Sequence, residues 1–126
     1  MRIVVTGSRD WHDTFLAETV LDGFAEQAAK LDELLYVIEG GARGLDTIAR
    51  RWAKRQIDVE PVTVKAEWRK YGLAAGPIRN RKMLDEYEAD YVVAFHDALD
   101  TESKGTADCV SYAKEKGIPV FLVSHP

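Results

Sequence analysis

The sequence predicts a three-layer α/β fold, in which a five-stranded parallel sheet lies between two layers of helices. Short apolar runs rich in β-branched residues alternate along the chain with longer segments of helical periodicity. This alternation is typical of repeated strand-helix-strand units, in which a helix connects two parallel strands. The runs are apolar at successive positions, which indicates strands that are buried on both faces. Helices are therefore expected to cover both sides of the sheet.

The elements follow from these two patterns. Strands are predicted at residues 2–6, 35–39, 60–64, 91–95 and 119–123. Helices are predicted at residues 14–31, 45–55, 77–87 and 106–116. Pro77 is tolerated in a first helical turn, and Gly117 is a standard helix stop. The long stretch 65–76 is predicted to be an irregular, functional loop.

Length and composition predict one globular domain, residues 1–126, and exclude several protein classes. The chain is 46% hydrophobic and 30% charged, which is typical of a globular protein and not of a fibrous, disordered or membrane-spanning chain. The apolar stretch near the amino terminus is too short for a signal peptide. Cys109, the single cysteine, cannot form an internal disulfide. We therefore expect a cytoplasmic protein without a membrane segment, a structural metal or a cofactor.

Basic residues are concentrated in the middle of the chain. Residues 43–82 contain eleven basic and four acidic residues, a local charge of +7, whereas the rest of the chain sums to −11. The net charge of −4 lacks the basic excess of dedicated duplex-DNA-binding proteins. The basic segment instead indicates a smaller anionic partner, with ligand phosphates as the first candidate.

Glycine-containing loops follow the first, second and fourth strands, at the edge where an open parallel sheet binds its ligands. In the first loop, Gly7 either lets the backbone approach a ligand or makes only a tight turn. Ser8 adds a hydroxyl group, and Arg9 adds a cation. The turn is not G-x-G-x-x-G, so the dinucleotide fingerprint is missing.

The second loop leads directly into the second helix. Unpaired amides at a helix start attract phosphate, and Arg43 supplies a bidentate donor. Asp46 either caps helix amides or binds ribose hydroxyls. The lysine and the serine or threonine of a Walker P-loop are absent, which argues against ATP hydrolysis by that route.

The third loop ends at Gly105 and Thr106, where a helix start offers another phosphate site. Thr106 also has a simpler interpretation as an ordinary helix cap. The three histidines are dispersed and lack metal-ligand spacing, so each is expected to be an ordinary surface or loop residue. Cys109 is expected to be buried and inert.

Five motifs together resemble the YspA/YpsA-related branch of the SLOG superfamily, and the resemblance spans nearly the whole chain. They are T-G-S-R-D-W at 6–11, E-G-G-A-R-G-L-D at 39–46, A-G-P-I-R-N-R-K-M at 75–83, A-D-Y-V-V-A-F at 89–95 and K-G-T-A-D-C at 104–109. The resemblance implies a Rossmann-like sheet, with strand order 3-2-1-4-5, that binds nucleotides or nucleotide-derived ligands.

The superfamily also includes the Lonely Guy phosphoribohydrolases, which cleave the N-glycosidic bond of nucleoside monophosphates with an arginine and a glutamate. Arg81 matches that arginine. Cys109 stands at the position of the catalytic glutamate, and a thiol cannot replace a carboxylate beside an oxocarbenium-like centre. Asp10, Asp46 or Asp108 would have to supply a carboxylate from elsewhere.

Three functional hypotheses follow. The favoured one is a sensor or ligand-binding module for a nucleotide-type small molecule, in a homodimer or larger homo-oligomer. The second is a nucleoside-monophosphate N-glycosidase with Arg81, Asp46 and Asp108 as catalytic candidates. The third is a single-stranded nucleic-acid-binding module, indicated by Trp68, Tyr71 and a resemblance to the DNA-binding DprA branch. The predicted ligand-binding residues are Gly7, Ser8, Arg9, Gly40, Gly41, Arg43, Gly44, Asp46, Arg79, Asn80, Arg81, Gly105 and Thr106.

Overall fold

A computed structural model describes residues 1–99 and 104–126 and contains one five-stranded sheet within that part of the chain. The strands are β1 (Arg2–Gly7), β2 (Leu35–Glu39), β3 (Val59–Thr63), β4 (Tyr91–Phe95) and β5 (Val120–Val123). All neighbouring strands are parallel, and their order is β3-β2-β1-β4-β5. The predicted architecture and strand order are confirmed.

Helices cover both faces of the sheet. They are α1 (Thr14–Lys30), α2 (Leu45–Lys54), α3 (Trp68–Tyr71), α4 (Ala75–Asp85) and α5 (Gly105–Glu115), with a 3-10 turn at Gly72–Ala74. Ile3 and Val5 of β1 pack in one core with α1 and α2, whereas Val4 packs in a second core with α4 and α5. The alternation of side chains along β1 therefore divides the interior into two layers, because successive strand residues point to opposite faces.

Element boundaries differ from the predictions by at most two residues, whereas the loop prediction differs more. The stretch 65–76 contains α3, the 3-10 turn and the start of α4, so the prediction of an irregular loop is wrong. Pro77 lies in the first turn of α4, where its missing N–H costs no helical hydrogen bond. The helix therefore begins before the proline, at Ala75.

The predicted helix stop at Gly117 is confirmed. Its φ of +74° lies in the left-handed region that glycine adopts without strain. The amide of Gly117 donates to the carbonyl of Lys114 over 3.2 Å, and the amide of Ile118 donates to the carbonyl of Ala113 over 2.9 Å. These two hydrogen bonds form a Schellman motif, which ends α5 and directs the chain into β5.

None of the helices in the described ranges is long and apolar enough to cross a membrane.

Candidate functional site

The end of β1 lies beside the starts of α2 and α5 and the end of β4, while residues 100–103 of the third predicted loop lie outside the described residues. A Cβ atom on Gly7 would lie 2.6 Å from Cγ of Leu45, the first residue of α2, and 2.8 Å from the carbonyl oxygen of Phe95 at the end of β4. The hydroxyl groups of Thr6 and Thr106 lie 3.2 Å apart and connect β1 to the start of α5. Gly7 therefore allows close packing among three elements of the protein, and the starts of α2 and α5 both lie beside β1.

Ser8 is occupied by contacts within the protein. Its amide donates to the carbonyl of Phe95 over 2.9 Å, and its own carbonyl accepts from the amides of Trp11 and Leu45. Its hydroxyl accepts from the amide of Asp10 over 3.0 Å. Ser8 thus holds the β1 loop against α2 and β4.

The amides of the second loop are occupied by carboxylates of the chain itself. Oδ2 of Asp46 accepts from the amides of Gly40 and Ala42 over 3.1 and 3.2 Å, and Oε1 of Glu39 accepts from the amide of Gly41 over 3.0 Å. Asp46 therefore caps the preceding loop, a role that neither sequence interpretation included. An external phosphate at these three amides would have to displace a carboxylate.

Both of these carboxyl groups are buried. Desolvation raises the pKa of Asp46 to about 6 and is also the main cause that raises the pKa of Glu39. Glu39 is fully buried, and its Oε2 has no hydrogen-bond partner within the described chain. The other oxygen of this carboxylate, Oε1, lies 3.8 Å from Nη1 of Arg50.

Helix α4 connects the second loop to α5. Arg79 donates from Nη1 to the carbonyl of Gly40 over 2.8 Å and from Nε to Oδ1 of Asn80 over 2.9 Å. The buried amide nitrogen of Asn80 donates to the carbonyl of Gly105 over 3.1 Å and to Oδ2 of Asp108 over 3.0 Å. The structure thus brings these predicted residues together, in a network that positions the loops.

Arg81 continues this network toward the surface. Its Nη1 lies 3.3 Å from Oδ2 of Asp108 and 3.0 Å from the carbonyl oxygen of Pro77. Its guanidinium group lies 4.7 Å from the centre of the Tyr112 ring. An arginine and a carboxylate therefore face each other at the start of α5.

Three of the helices that begin at this edge, α1, α2 and α5, differ in their capping. Oδ1 of Asp13 accepts from the amide of Leu16 over 2.9 Å and caps α1. The N-cap residues of α2 and α5, Gly44 and Lys104, make no side-chain cap hydrogen bond. Thr106 does not act as the predicted cap, because α5 already begins at Gly105 and the Thr106 hydroxyl contacts Thr6.

Two predicted cations lie exposed around these helix starts. The Arg43 side chain is 76% exposed. It forms an ion pair at 3.8 Å with Asp10, whose side chain is 83% exposed. Arg9 is also exposed. Because such exposed ion pairs contribute little to stability, both cations can turn toward a ligand.

A pocket of about 430 Å³ opens beside the β1 loop, and sequence reasoning missed it. It is lined by Ser8, Asp10, Trp11, His12, Asp13, His96, Asp97, Ala98 and His125. The imidazole of His125 stacks on Trp11 with a centroid distance of 4.8 Å. Its Nδ1 lies 2.9 Å from Oδ2 of Asp97, and its Nε2 lies 2.8 Å from Oδ2 of Asp13.

Two of the three histidines lie in loops, as expected, and also make specific contacts. His125 connects two distant carboxylates, and His96 is buried and accepts from the amide of Ala98 through Nδ1 over 3.0 Å. Residues 1–99 and 104–126 contain no group of three or more histidine, cysteine, aspartate and glutamate side chains arranged to hold a metal ion.

Cys109 is fully buried in the core between the sheet and α5, as predicted. Burial raises the pKa of its thiol to about 12, so the group is neutral at physiological pH. The neighbouring residue, Asp108, is the one that contacts Asn80 and Arg81. The carboxylate at the start of α5 therefore comes from the residue before the cysteine.

Comparisons with known proteins agree with this architecture. The sequence profile of YAcAr, described as the YspA, cpYpsA-related SLOG family, matches residues 1–71, a stretch that includes β1, β2 and both of their loops. The chain is also similar to the Gene 61 protein of Mycobacterium phage D29, with 38% identity over 124 residues that cover 95% of this chain and 94% of the phage protein. No solved structure gives a significant match. From the profile and the near full-length similarity, the chain belongs to the YspA, cpYpsA-related SLOG family.

Proposed function

We propose that this protein binds a nucleotide or nucleotide-derived anion at the carboxyl edge of its sheet, as a sensor or ligand-binding module. One observation carries the proposal: α2 and α5 both begin beside β1, and neither N-cap residue supplies a side-chain hydrogen bond. Amides at a helix start donate to anions, and the helix dipole adds a favourable field. Membership of a SLOG family is consistent with such a ligand.

The phosphate is assigned to these two helix starts and not to the amides at residues 40–42. Those amides already donate to Asp46 and Glu39, and the two carboxylates would repel a second anion. By contrast, a Cβ on Gly105 would meet no atom of residues 1–99 and 104–126 within 4 Å, so the described residues leave space beside the start of α5. Arg43 and Arg9 supply charge-assisted hydrogen bonds from the neighbouring loops.

The nucleoside part of the ligand is assigned to the pocket beside the β1 loop, which contains Asp10, Asp13 and Asp97. The pocket includes Asp10, the ion-pair partner of Arg43, and therefore adjoins the proposed phosphate site. Ribose hydroxyls and the exocyclic amines of bases are hydrogen-bond donors, which suits a lining that contains Asp10 and Asp97. A volume of about 430 Å³ lies within the usual range for small-molecule sites.

Arginine variants test the proposal. Titration calorimetry and thermal unfolding with AMP, ADP and ADP-ribose are expected to show saturable binding and a raised melting temperature. Arg43→Ala should weaken binding roughly ten- to a hundredfold, because a charge-assisted hydrogen bond is worth about 1.5–3 kcal/mol. The matched control is Arg51→Ala, since Arg51 lies exposed on α2 away from the helix start. Equal losses in both variants would mean diffuse attraction and would contradict the proposal.

A second candidate function is hydrolysis of the N-glycosidic bond of a nucleoside monophosphate. The pairing of Arg81 with Asp108 at 3.3 Å favours it, because the reaction needs a carboxylate near the sugar. Incubation with nucleoside monophosphates, followed by chromatography for free base, distinguishes the candidates. A ligand-binding module releases no base, whereas base release that is lost in Asp108→Asn and retained in Asp85→Asn would establish the hydrolase.

A further inference from the structure

Several side chains within residues 65–82 form an exposed surface that nucleotide binding at the sheet edge does not use. Four large apolar side chains on it are exposed, with Trp68 at 51% and Leu73 at 94%. Basic side chains lie between and beside them. We define the aromatic-basic surface as Lys65, Trp68, Arg69, Lys70, Tyr71, Leu73, Ile78 and Lys82.

Basic side chains outnumber acidic ones on this surface. Residues 65–82 contain six basic residues and one acidic residue, a local charge of +5. Arg79 and Arg81 are held by contacts within the protein. The other four basic residues form no ion pair with the described part of the chain. Lys70 instead lies over the Tyr71 ring, with Nζ 5.0 Å from its centroid.

A small groove lies within the same surface. It has a volume of about 120 Å³ and is lined by Lys65, Glu67, Tyr71, Ala75, Ile78, Arg79 and Lys82. Its lining combines the aromatic ring of Tyr71 with the ammonium groups of Lys65 and Lys82 and the carboxylate of Glu67. This arrangement suits a planar ring attached to an anion.

Charge decides which partner fits this surface. Two copies joined through it about a two-fold axis would bring two identical sets of these cations into one interface, where like charges repel. A duplex keeps its bases stacked in its interior, so it could not use the exposed rings. A single strand offers both unstacked bases for aromatic side chains and phosphates for the cations.

We propose that the aromatic-basic surface binds single-stranded nucleic acid. Bases stack on Trp68 and Tyr71, while Lys65, Arg69, Lys70 and Lys82 contact the phosphates. The surface adjoins the second loop, because a Cβ on Gly41 would lie 3.5 Å from Cγ of Lys65. The strand therefore reaches the edge where the mononucleotide site is proposed, although its binding does not depend on that site.

Tryptophan fluorescence reports on this surface selectively. Trp11 and Trp52 are 4% and 1% exposed, so Trp68 is the only one of the three tryptophans open to a stacking base. Titration with an oligodeoxythymidine of about ten nucleotides is expected to quench the emission saturably. If four cations contact phosphates, a plot of the logarithm of the association constant against the logarithm of the salt concentration should have a slope of about −3.

Paired charge reversals provide the decisive comparison. Arg69→Glu with Lys70→Glu should weaken oligonucleotide binding roughly tenfold or more and leave AMP binding unchanged. The matched control is Arg51→Glu with Lys54→Glu, which changes the net charge equally on the exposed side of α2 and should retain binding. Trp68→Ala removes the fluorescent reporter, so its binding is followed by titration calorimetry and should be weaker by a similar factor. The charge reversals test the surface even if this variant unfolds.

Four results would overturn the proposal. The first is that both charge reversals weaken oligonucleotide binding equally. The second is that a duplex quenches the emission as strongly as the oligodeoxythymidine, and the third is that polyglutamate or anionic vesicles do so. The fourth is quenching that depends on protein concentration alone. The first would indicate diffuse attraction. The second and third would indicate a different anionic partner, and the last would indicate self-association through Trp68.

Discussion

Nε2 of His125 lies 2.8 Å from Oδ2 of Asp13, although the two residues are 112 positions apart in the sequence. The other ring nitrogen lies 2.9 Å from Oδ2 of Asp97. A neutral imidazole has only one N–H, so donation to both carboxylates requires the protonated ring. These hydrogen bonds raise the pKa of His125 and contribute to lowering the pKa of Asp13 and of Asp97.

Stability should therefore depend on pH through this contact. The contribution of His125 is fully present below its unfolded pKa of about 6.5 and is lost as pH rises through its higher folded value. Denaturant unfolding of wild type and His125→Gln should show a larger difference at about pH 5.5 than at about pH 8.5. An NMR titration that gives His125 an ordinary or lowered pKa would contradict this prediction.

Asp46 should impose a second pH dependence. Its pKa is raised by burial to about 6, so the folded state favours the protonated group and stability falls as pH rises through that value. Between about pH 4 and pH 7, the free energy of unfolding should fall by about 1–3 kcal/mol less in Asp46→Asn than in the wild type. Denaturant unfolding across this range checks it, and a variant whose unfolding free energy keeps the wild-type pH dependence would show that Asp46 is not responsible.

Gly7 and Gly23 should respond oppositely to alanine. Gly7→Ala places a Cβ 2.6 Å from Leu45 and is expected to cost about 1–3 kcal/mol, because the surrounding elements must move. Gly23 lies within α1, and a Cβ there would meet nothing within 4 Å. Gly23→Ala should therefore stabilise the protein by about 0.5–1 kcal/mol. Thermal unfolding measures both, and a neutral Gly7→Ala would contradict the packing described at the end of β1.

We expect a homodimer or larger homo-oligomer in solution. Phe121 and Leu122 lie about half exposed on β5, at the edge of the sheet, and exposed apolar surface of this kind is typical of an association site. Light scattering should give at least twice 14.1 kDa, and Leu122→Lys should lower that mass. A mass near 14.1 kDa at every concentration would exclude the assembly.

The sheet and its strand order could be predicted because buried parallel strands have a distinctive sequence pattern. Leu35–Glu39 and Tyr91–Phe95 are short apolar runs, and the observed strands have the predicted bounds. The helical segment Trp68–Ala74 could not be predicted, since its elements are only three or four residues long and show no helical period.

The candidate site was predicted in part. Glycines and arginines indicated a site at the carboxyl edge of the sheet, but the sequence could not show that Asp46 turns back to the amides of Gly40 and Ala42. The pocket beside the β1 loop was missed for a related reason. Asp13, Asp97 and His125 meet only through the fold, and no spacing in the sequence indicates their contact.

An amide NMR titration with AMP locates the bound anion directly. The proposed site predicts saturable shifts that are largest for the amides of Asp46, Thr47, Gly105 and Thr106, at the starts of α2 and α5. Arg43→Ala should reduce these shifts at equal ligand concentration, and Arg51→Ala should not. Shifts confined to the exposed basic residues of α2, or no saturable shift at the two helix starts, would contradict nucleotide binding at this edge.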